Sequence, residues 1–317
     1  MKGQAILITG GTGSLGHALV PLLLGEYQAG KVIVFSRSES KQAEMRQEFQ
    51  DPRMRFFLGD VRDRDRLATA FQGVDVVIHA AALKRIEVAE QDPLEVKKTN
   101  VDGTCNVNMA AIGCAVKKVM LISTDKACAP TTLYGASKLM AERETIAHNA
   151  YSPWGTKFSA VRYGNVIGST GSVIPLFRKQ KETGVITITD PEMTRFWITL
   201  DDAARFVLNC VDEMEGGETF VPVMPSARVV DIADAVAPGC RREFVGIRAG
   251  EKLHEELITT VEARRSFRIG LGYVIEPAIG GRTRLWPTPD GFSYTSDKNR
   301  MLTVEEIRDL IGERKAA

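Results

Sequence analysis

Cysteine is sparse in this chain. Five copies, Cys105, Cys114, Cys128, Cys210 and Cys240, are scattered through 317 residues with no C-x-x-C pair. That pattern excludes a disulfide framework and a zinc module, and it suits reduced thiols in a cytoplasmic protein. Histidine is scarcer, with four dispersed copies, and no metal site is expected. Neither charge sign dominates: 41 basic and 40 acidic residues leave a formal net charge of +1. There is no bulk attraction to nucleic acid or to an anionic membrane. The apolar run ALVPLLL is far too short to cross a bilayer, so no membrane insertion is expected. No basic stretch with a cleavage site precedes the first apolar run. Repeats and low-complexity tracts are also missing.

What the chain does have is alternation. AILITG (5–10) is a short continuous apolar run, as expected of a strand buried on both faces. SLGHALVPLLLGE (14–26) then shows helical spacing. Further strands are expected at 31–37, 54–60, 74–82, 117–124 and 156–168, the last being TKFSAVRYGNVIG. Helices are expected between them at 39–50, 64–73, 135–150 and, as one long helix, 93–113. Repeated strand–helix units with apolar strands predict an α/β fold: a Rossmann-type doubly wound parallel sheet. After about residue 168 the rhythm loosens, beginning with the Gly/Ser loop GSTGSVIP. We expect a Rossmann domain over 1–168 that binds the cofactor and carries the catalytic loop. A smaller C-terminal α/β substrate-binding lobe is expected over 169–317, interleaved with the first.

The turn ITGGTGSLG places Gly10, Gly13 and Gly16 between the first strand and the first helix, with Thr12, Ser14 and Leu15 among them. Glycines there permit a tight turn, admit a pyrophosphate close to the backbone and let helix and strand pack closely. The strand–turn–helix context points to a dinucleotide. The second strand ends on Ser36 and Arg37, with Lys41 one turn on, where an NAD enzyme usually has an acid. A guanidinium and an ammonium suit a 2′-phosphate, so NADP is favoured. Asp60 and Val61 follow the third strand, where a carboxylate can accept from an adenine amino group. Ala80, Ala81 and Ala82 follow the fourth and leave room for a cofactor. His79 reads as structural.

Tyr134 and Lys138 form Y-x-x-x-K and share one face at a helix start. A lysine beside a tyrosine favours phenolate, which can take a hydroxyl proton while hydride leaves the same carbon. Just upstream, Asp125 and Lys126 stand side by side in STDKA. A simple hydride transfer does not need this second acid/base pair.

The nucleotide loop followed by Y-x-x-x-K resembles the extended short-chain dehydrogenase/reductase superfamily. Within it, FSRSESKQAEMRQEF, HAAALK, STDKA, LYGASK, VRYGNVIGS, MTRFWITL and GEKLHE are similar to the inverting UDP-N-acetylglucosamine 4,6-dehydratases of pseudaminic acid and related pathways. The likeness runs to about residue 260 and more loosely beyond. It implies a UDP-N-acetylglucosamine substrate, bound NADP and a homo-oligomer. Tyr134 would take the proton of the 4-hydroxyl, with Thr124 bonding the 4-oxygen and Lys138 also holding the nicotinamide ribose. Lys126 would remove the carbon-5 proton and Asp125 would protonate the leaving 6-hydroxyl. That assignment needs Lys126 shifted down and Asp125 shifted up. Lys84, Asn165, Arg195, Arg248 and Glu251 would contact the sugar nucleotide. Two departures stand out: Arg85-Ile86-Glu87 replaces a His-Val-Pro in many relatives, and Ala249 replaces a proline. The alternative within the superfamily is a 4-epimerase or 5-epimerase of the same substrate. A non-catalytic NADP-binding regulator is a third reading, disfavoured by the intact Tyr134, Lys138, Asp125 and Lys126.

Overall fold

In β1 (Ala5–Thr9), successive side chains alternate between two apolar layers, as the strand period of two requires. Ile6 and Ile8 join one layer with Val32, Val34, Val76 and Ile78. Leu7 joins the other with Ile33, Phe35, Val77 and Val119. The continuous apolar runs are thus strands buried on both faces. The computed structural model describes residues 1–168, 173–270, 272–278, 280 and 288–312.

Among the described residues the central sheet has nine strands. After β1 come β2 (Lys31–Ser36), β3 (Met54–Leu58), β4 (Val76–His79), β5 (Lys118–Ile122) and β6 (Lys157–Val161). The chain returns later as β7 (Thr219–Pro222), β8 (Ser266–Ile269) and β9 (Gly272–Ile275). The order is β8-β9-β7-β6-β5-β4-β1-β2-β3. All pairs from β3 to β7 are parallel; β9 runs antiparallel to both β7 and β8. This is the doubly wound sheet that the alternation predicts. The strand order reverses between β1 and β4, and the loops leaving Thr9, Ser36, His79 and Ile122 gather at that edge. A crevice there is where such sheets take ligands.

A second apolar core includes Ile174, Phe177, Ile186, Trp197, Ile232 and Leu302. Around it lie small sheets, one of Ser226–Arg228, Thr194–Ile198 and Asn165–Val166, another of Val185–Ile188 with Arg241–Phe244. Residues 169–172 of the expected Gly/Ser loop lie outside the described residues. Among the described residues no helix is long and apolar enough to cross a membrane.

Two elements differ from expectation. The sixth strand is split: Lys157–Val161 stays in the large sheet, while Asn165–Val166 pairs with Trp197–Ile198. Gly164 makes the crossing possible, since a Cβ there would sit 2.5 Å from that of Phe196. The long helix over 93–113 is interrupted by a π-helical segment, Lys97–Asp102. π-bulges of this kind often mark functional sites. Asn100 within it donates to the Leu83 carbonyl and accepts from the Leu83 N–H, at 2.9 and 2.8 Å. The widened turn therefore splints the loop that follows β4.

At the end of β6, Arg162 is buried between two carboxylates, Glu142 at 2.7 Å and Glu262 at 3.1 Å. Ser123 also donates to Glu142. This triad ties β6 to helix Leu133–Ala147 and to the short helix Thr260–Ala263.

Candidate active site

The loops at the sheet edge enclose a cleft of about 1080 Å³. Its nucleotide side is built mainly from backbone. Gly10 has φ +66°, and a Cβ there would lie 2.8 Å from the Ala81 N. Gly10 and the Ala80–Ala82 loop therefore lie against one another with no room for a side chain. Gly13 caps helix Ser14–Leu24 without a side-chain bond, so the first-turn N–H groups face the cleft. Thr12, Ser14, Leu15, Ser36, Arg37, Lys41 and Val61 line the same cleft. These features fit a dinucleotide: an anion site at a helix N-terminus and a floor of small residues. Gly16 has a different place. It does not line the cleft, and a Cβ on it would meet the Gly11 oxygen at 1.9 Å, so it packs helix against strand turn. Asp60 also stands behind the wall, paired with Arg62 at 2.7 Å and with Arg37 at 3.5 Å. Burial opposes its charge, yet these arginines hold it below its usual value.

His79 is structural, as its position suggests. The Thr104 hydroxyl donates to the Asn100 carbonyl, so His79 Nε2–H must donate to Thr104. Nδ1 then accepts from Thr9 Oγ1, which itself accepts from the Ala81 N–H. Burial, with Lys138 adding to it, pushes this imidazole down to about 3 and keeps it neutral.

The chemical side is built from side chains. Thr124, Asp125, Lys126, Tyr134 and Lys138 all line the cleft. Thr124 caps the short turn Asp125–Ala127 and hydrogen-bonds to both Asp125, at 2.8 Å, and the Tyr134 phenol. Thr132 caps the helix that presents Tyr134 and Lys138. Lys126 Nζ lies 3.1 Å from Asp125 Oδ1 and 3.3 Å from Glu255 Oε1. Burial works against the ammonium, but these two carboxylates outweigh it and hold Lys126 above the ordinary lysine range. The expected lowering of Lys126 is overturned, because Asp125 holds the ammonium charged and the fold adds a second carboxylate, Glu255, beside it.

The tyrosine is also corrected. Burial pushes Tyr134 up to about 12, and the cation that opposes this is Lys126, not Lys138. Lys138 turns its ammonium to the Ile122 carbonyl at 2.8 Å, and burial brings it down to about 8.

The expected sugar-nucleotide residues divide. Asn165 lines the cleft, and its buried Oδ1 lacks a partner among the described residues. Lys84 lines it too, with burial lowering its ammonium. Arg195 does not line the cleft: its guanidinium is buried against the carbonyls of Thr194 and Leu253, with Glu251 at 3.4 Å and Glu255 at 3.6 Å. Arg248 is exposed and reaches Glu87 across the cleft mouth at 3.4 Å. The unusual Arg85-Ile86-Glu87 thus forms part of the wall. Two participants were missed by sequence reading. Asn100 looks like an ordinary helix residue, and Glu255 closes the GEKLHE motif without anything in the motif giving it a role. Away from the cleft, Cys105, Glu144 and His148 bring ligand atoms within 4.8 Å of one another, a grouping invisible in their spacing.

Residues 6–277 match the model of a family described as polysaccharide biosynthesis protein. A Campylobacter jejuni protein named UDP-N-acetylglucosamine 4,6-dehydratase (inverting) is 44% identical over 324 residues, covering 96% of each chain. A Rickettsia conorii protein named UDP-glucose 4-epimerase is 37% identical, covering 97% of this chain and 95% of its own. The X-ray structure of Pen from Bacillus thuringiensis superposes with a TM-score of 0.91 at 37% identity, over 98% of this chain and 97% of that one. DesIV, the dTDP-glucose 4,6-dehydratase of Streptomyces venezuelae solved with NAD and TYD bound, gives a TM-score of 0.69 at 25% identity, over 78% and 86%.

Proposed function

The chain belongs to the polysaccharide biosynthesis protein family, and from that premise we propose that it is an inverting UDP-N-acetylglucosamine 4,6-dehydratase. One observation carries the reading: Thr124, Asp125, Lys126 and Tyr134 share one wall of the cleft whose other side fits a dinucleotide. An epimerase needs only the tyrosine side of that wall.

The cofactor is a nicotinamide dinucleotide, held by the Gly10–Leu15 turn and the Ala80–Ala82 loop. When bound, it would supply the hydride acceptor for oxidation at carbon 4 and the donor for reduction at carbon 6, so the reaction would need no outside oxidant. NADP is favoured over NAD because Arg37 and Lys41 line the cleft where a 2′-phosphate would sit. Tyr134, as phenolate, takes the proton of the 4-hydroxyl. Lys138 lies one turn below it and holds the ribose. The 4-ketone acidifies carbon 5, and Lys126, once neutral, removes that proton. Asp125, protonated, gives its proton to the departing 6-hydroxyl, and carbon 5 is finally reprotonated from the opposite face, which inverts it. Thr124 keeps Tyr134 and Asp125 in register through its one hydroxyl. Lys84, Asn165, Arg195, Arg248 and Glu251 are assigned to the sugar nucleotide; Arg195 must release carboxylate partners to serve it. Residues 1–168 act as the cofactor domain and 169–317 mainly as the substrate lobe. We place the enzyme in the cytoplasm as a homo-oligomer, supplying a pseudaminic acid type of pathway.

The test is incubation with UDP-N-acetylglucosamine in deuterated water, followed by proton spectra. A 6-methyl signal with deuterium at carbon 5 and L-arabino couplings is expected. The 4-epimerase reading, favoured by the Rickettsia relatives, requires UDP-N-acetylgalactosamine with no methyl signal.

A further inference from the structure

Glu255 has no role in the assignment above, yet it touches the centre of the site. Its backbone is clamped in both directions: the N–H donates to Ser296 Oγ at 2.9 Å, and the carbonyl accepts from the Ser296 N–H at 2.8 Å. The preceding His254 bridges to Thr194 on the small sheet. The side chain is buried, and its Oε1 lies 3.3 Å from Lys126 Nζ and 3.6 Å from Arg195 Nε. Its Oε2 has no hydrogen-bond partner among the described residues. On the other side of the same ammonium, Asp125 Oδ2 is buried and equally unpartnered. Half-satisfied buried carboxylates are costly, and the fold keeps two of them on one lysine. The charged or titratable groups facing Lys126 are Asp125 on its own loop, Glu255, Arg195 on Thr194–Ile198, and Tyr134 at the helix start.

We propose that Glu255 is a positioning residue: it holds the Lys126 ammonium beside Asp125 and sets how readily Lys126 gives up its proton to become the carbon-5 base. This rests on the dehydratase reading of the site. The reason is electrostatic. A carboxylate this close favours the charged lysine, so removing its charge frees the amine at lower pH. Arg195, on the far side of Glu255, shares that carboxylate and limits its pull.

Glu255→Gln keeps the shape and removes the charge. At saturating UDP-N-acetylglucosamine, the acidic limb of the kcat profile is expected to move down by about one pH unit. KM should change by less than about threefold. Glu255→Asp, which keeps the charge, should restore most of the limb. A merely structural role lowers kcat at every pH and leaves the limb in place, which overturns the proposal. A second arm is independent of turnover. Acylation of Lys126 by acetic anhydride at pH 8, read by peptide mass spectrometry, should run about threefold or more faster in Glu255→Gln than in wild type. Circular dichroism checks the fold. If the glutamine variant does not fold, Glu255→Asp decides: labelling within about twofold of wild type supports the proposal and a larger change overturns it. Equal labelling of wild type and a folded Glu255→Gln also overturns it. If wild type makes no 6-methyl product while labelling shifts, the dehydratase reading falls and the hold of Glu255 on Lys126 stands.

Discussion

The two sides of the cleft are made of different material. The nucleotide side is backbone: glycines that exclude a Cβ, helix N–H groups and three alanines. The chemical side is backed by a run of charges, Asp125–Lys126–Glu255–Arg195–Glu251, which starts at the cleft with Asp125 and Lys126 and continues behind its wall across three separate chain segments. The first depends on where atoms are absent, and one side chain in the wrong place closes it. The second depends on balance, and losing one member changes the charge state of the next. Sterics act within ångströms and along a few residues. Coulomb coupling in a buried site reaches across the fold.

Experiments can sharpen this contrast, beginning with the largest effect. Tyr134→Phe on the chemical side should lower kcat by about 10²–10⁴-fold, measured by methyl formation from UDP-N-acetylglucosamine. Arg162→Met should cost about 3–5 kcal/mol in urea unfolding, because Glu142 and Glu262 are left as buried carboxylates without their cation. That triad lies under the chemical side, and if its loss costs no more than a surface pair, charge balance is not what holds this side together. On the nucleotide side, Gly10→Ala must adopt φ +66° and press its Cβ on Ala81. It should lose about 1–3 kcal/mol of stability and weaken cofactor binding in a fluorescence titration. His79 supplies a pH signature beneath the same loop. Its proton is taken up near 6.5 in the unfolded chain but only near 3 in the folded one, because burial, and to a lesser extent Lys138, disfavours the imidazolium. Stability from this group is therefore complete above about 6.5 and falls by about 1.4 kcal/mol per pH unit below it. His79→Gln should flatten that slope in acid titrations of the melting temperature. The smallest effect is Lys41→Ala, which should weaken NADP⁺ binding about tenfold and leave NAD⁺ nearly unchanged. Equal weakening of both would remove the preference for NADP.

The strands and the glycine turn were legible because their causes are local. A strand buried on both faces is mostly apolar, and a turn with φ +66° and no room for a Cβ at Gly10 favours glycine. The break of β6 at Gly164 was not legible, since the reason lies in Phe196, a residue 32 positions away (196 − 164) on another sheet. The same holds for the split helix, whose π turn is fixed by the reach of Asn100 to Leu83.

Sequence by itself determined the doubly wound sheet, the glycine turn after β1 and the presence of Asp125, Lys126, Tyr134 and Lys138 near one strand end. Spacing and side-chain volume are written along the chain, so those features follow from it. Only the tertiary structure decided which lysine faces which acid. It turned Lys138 away to the Ile122 carbonyl and put Glu255 against Lys126, 129 positions on (255 − 126). A charge responds to whatever carboxylate the fold brings within a few ångströms, and separation along the chain has no bearing on that distance.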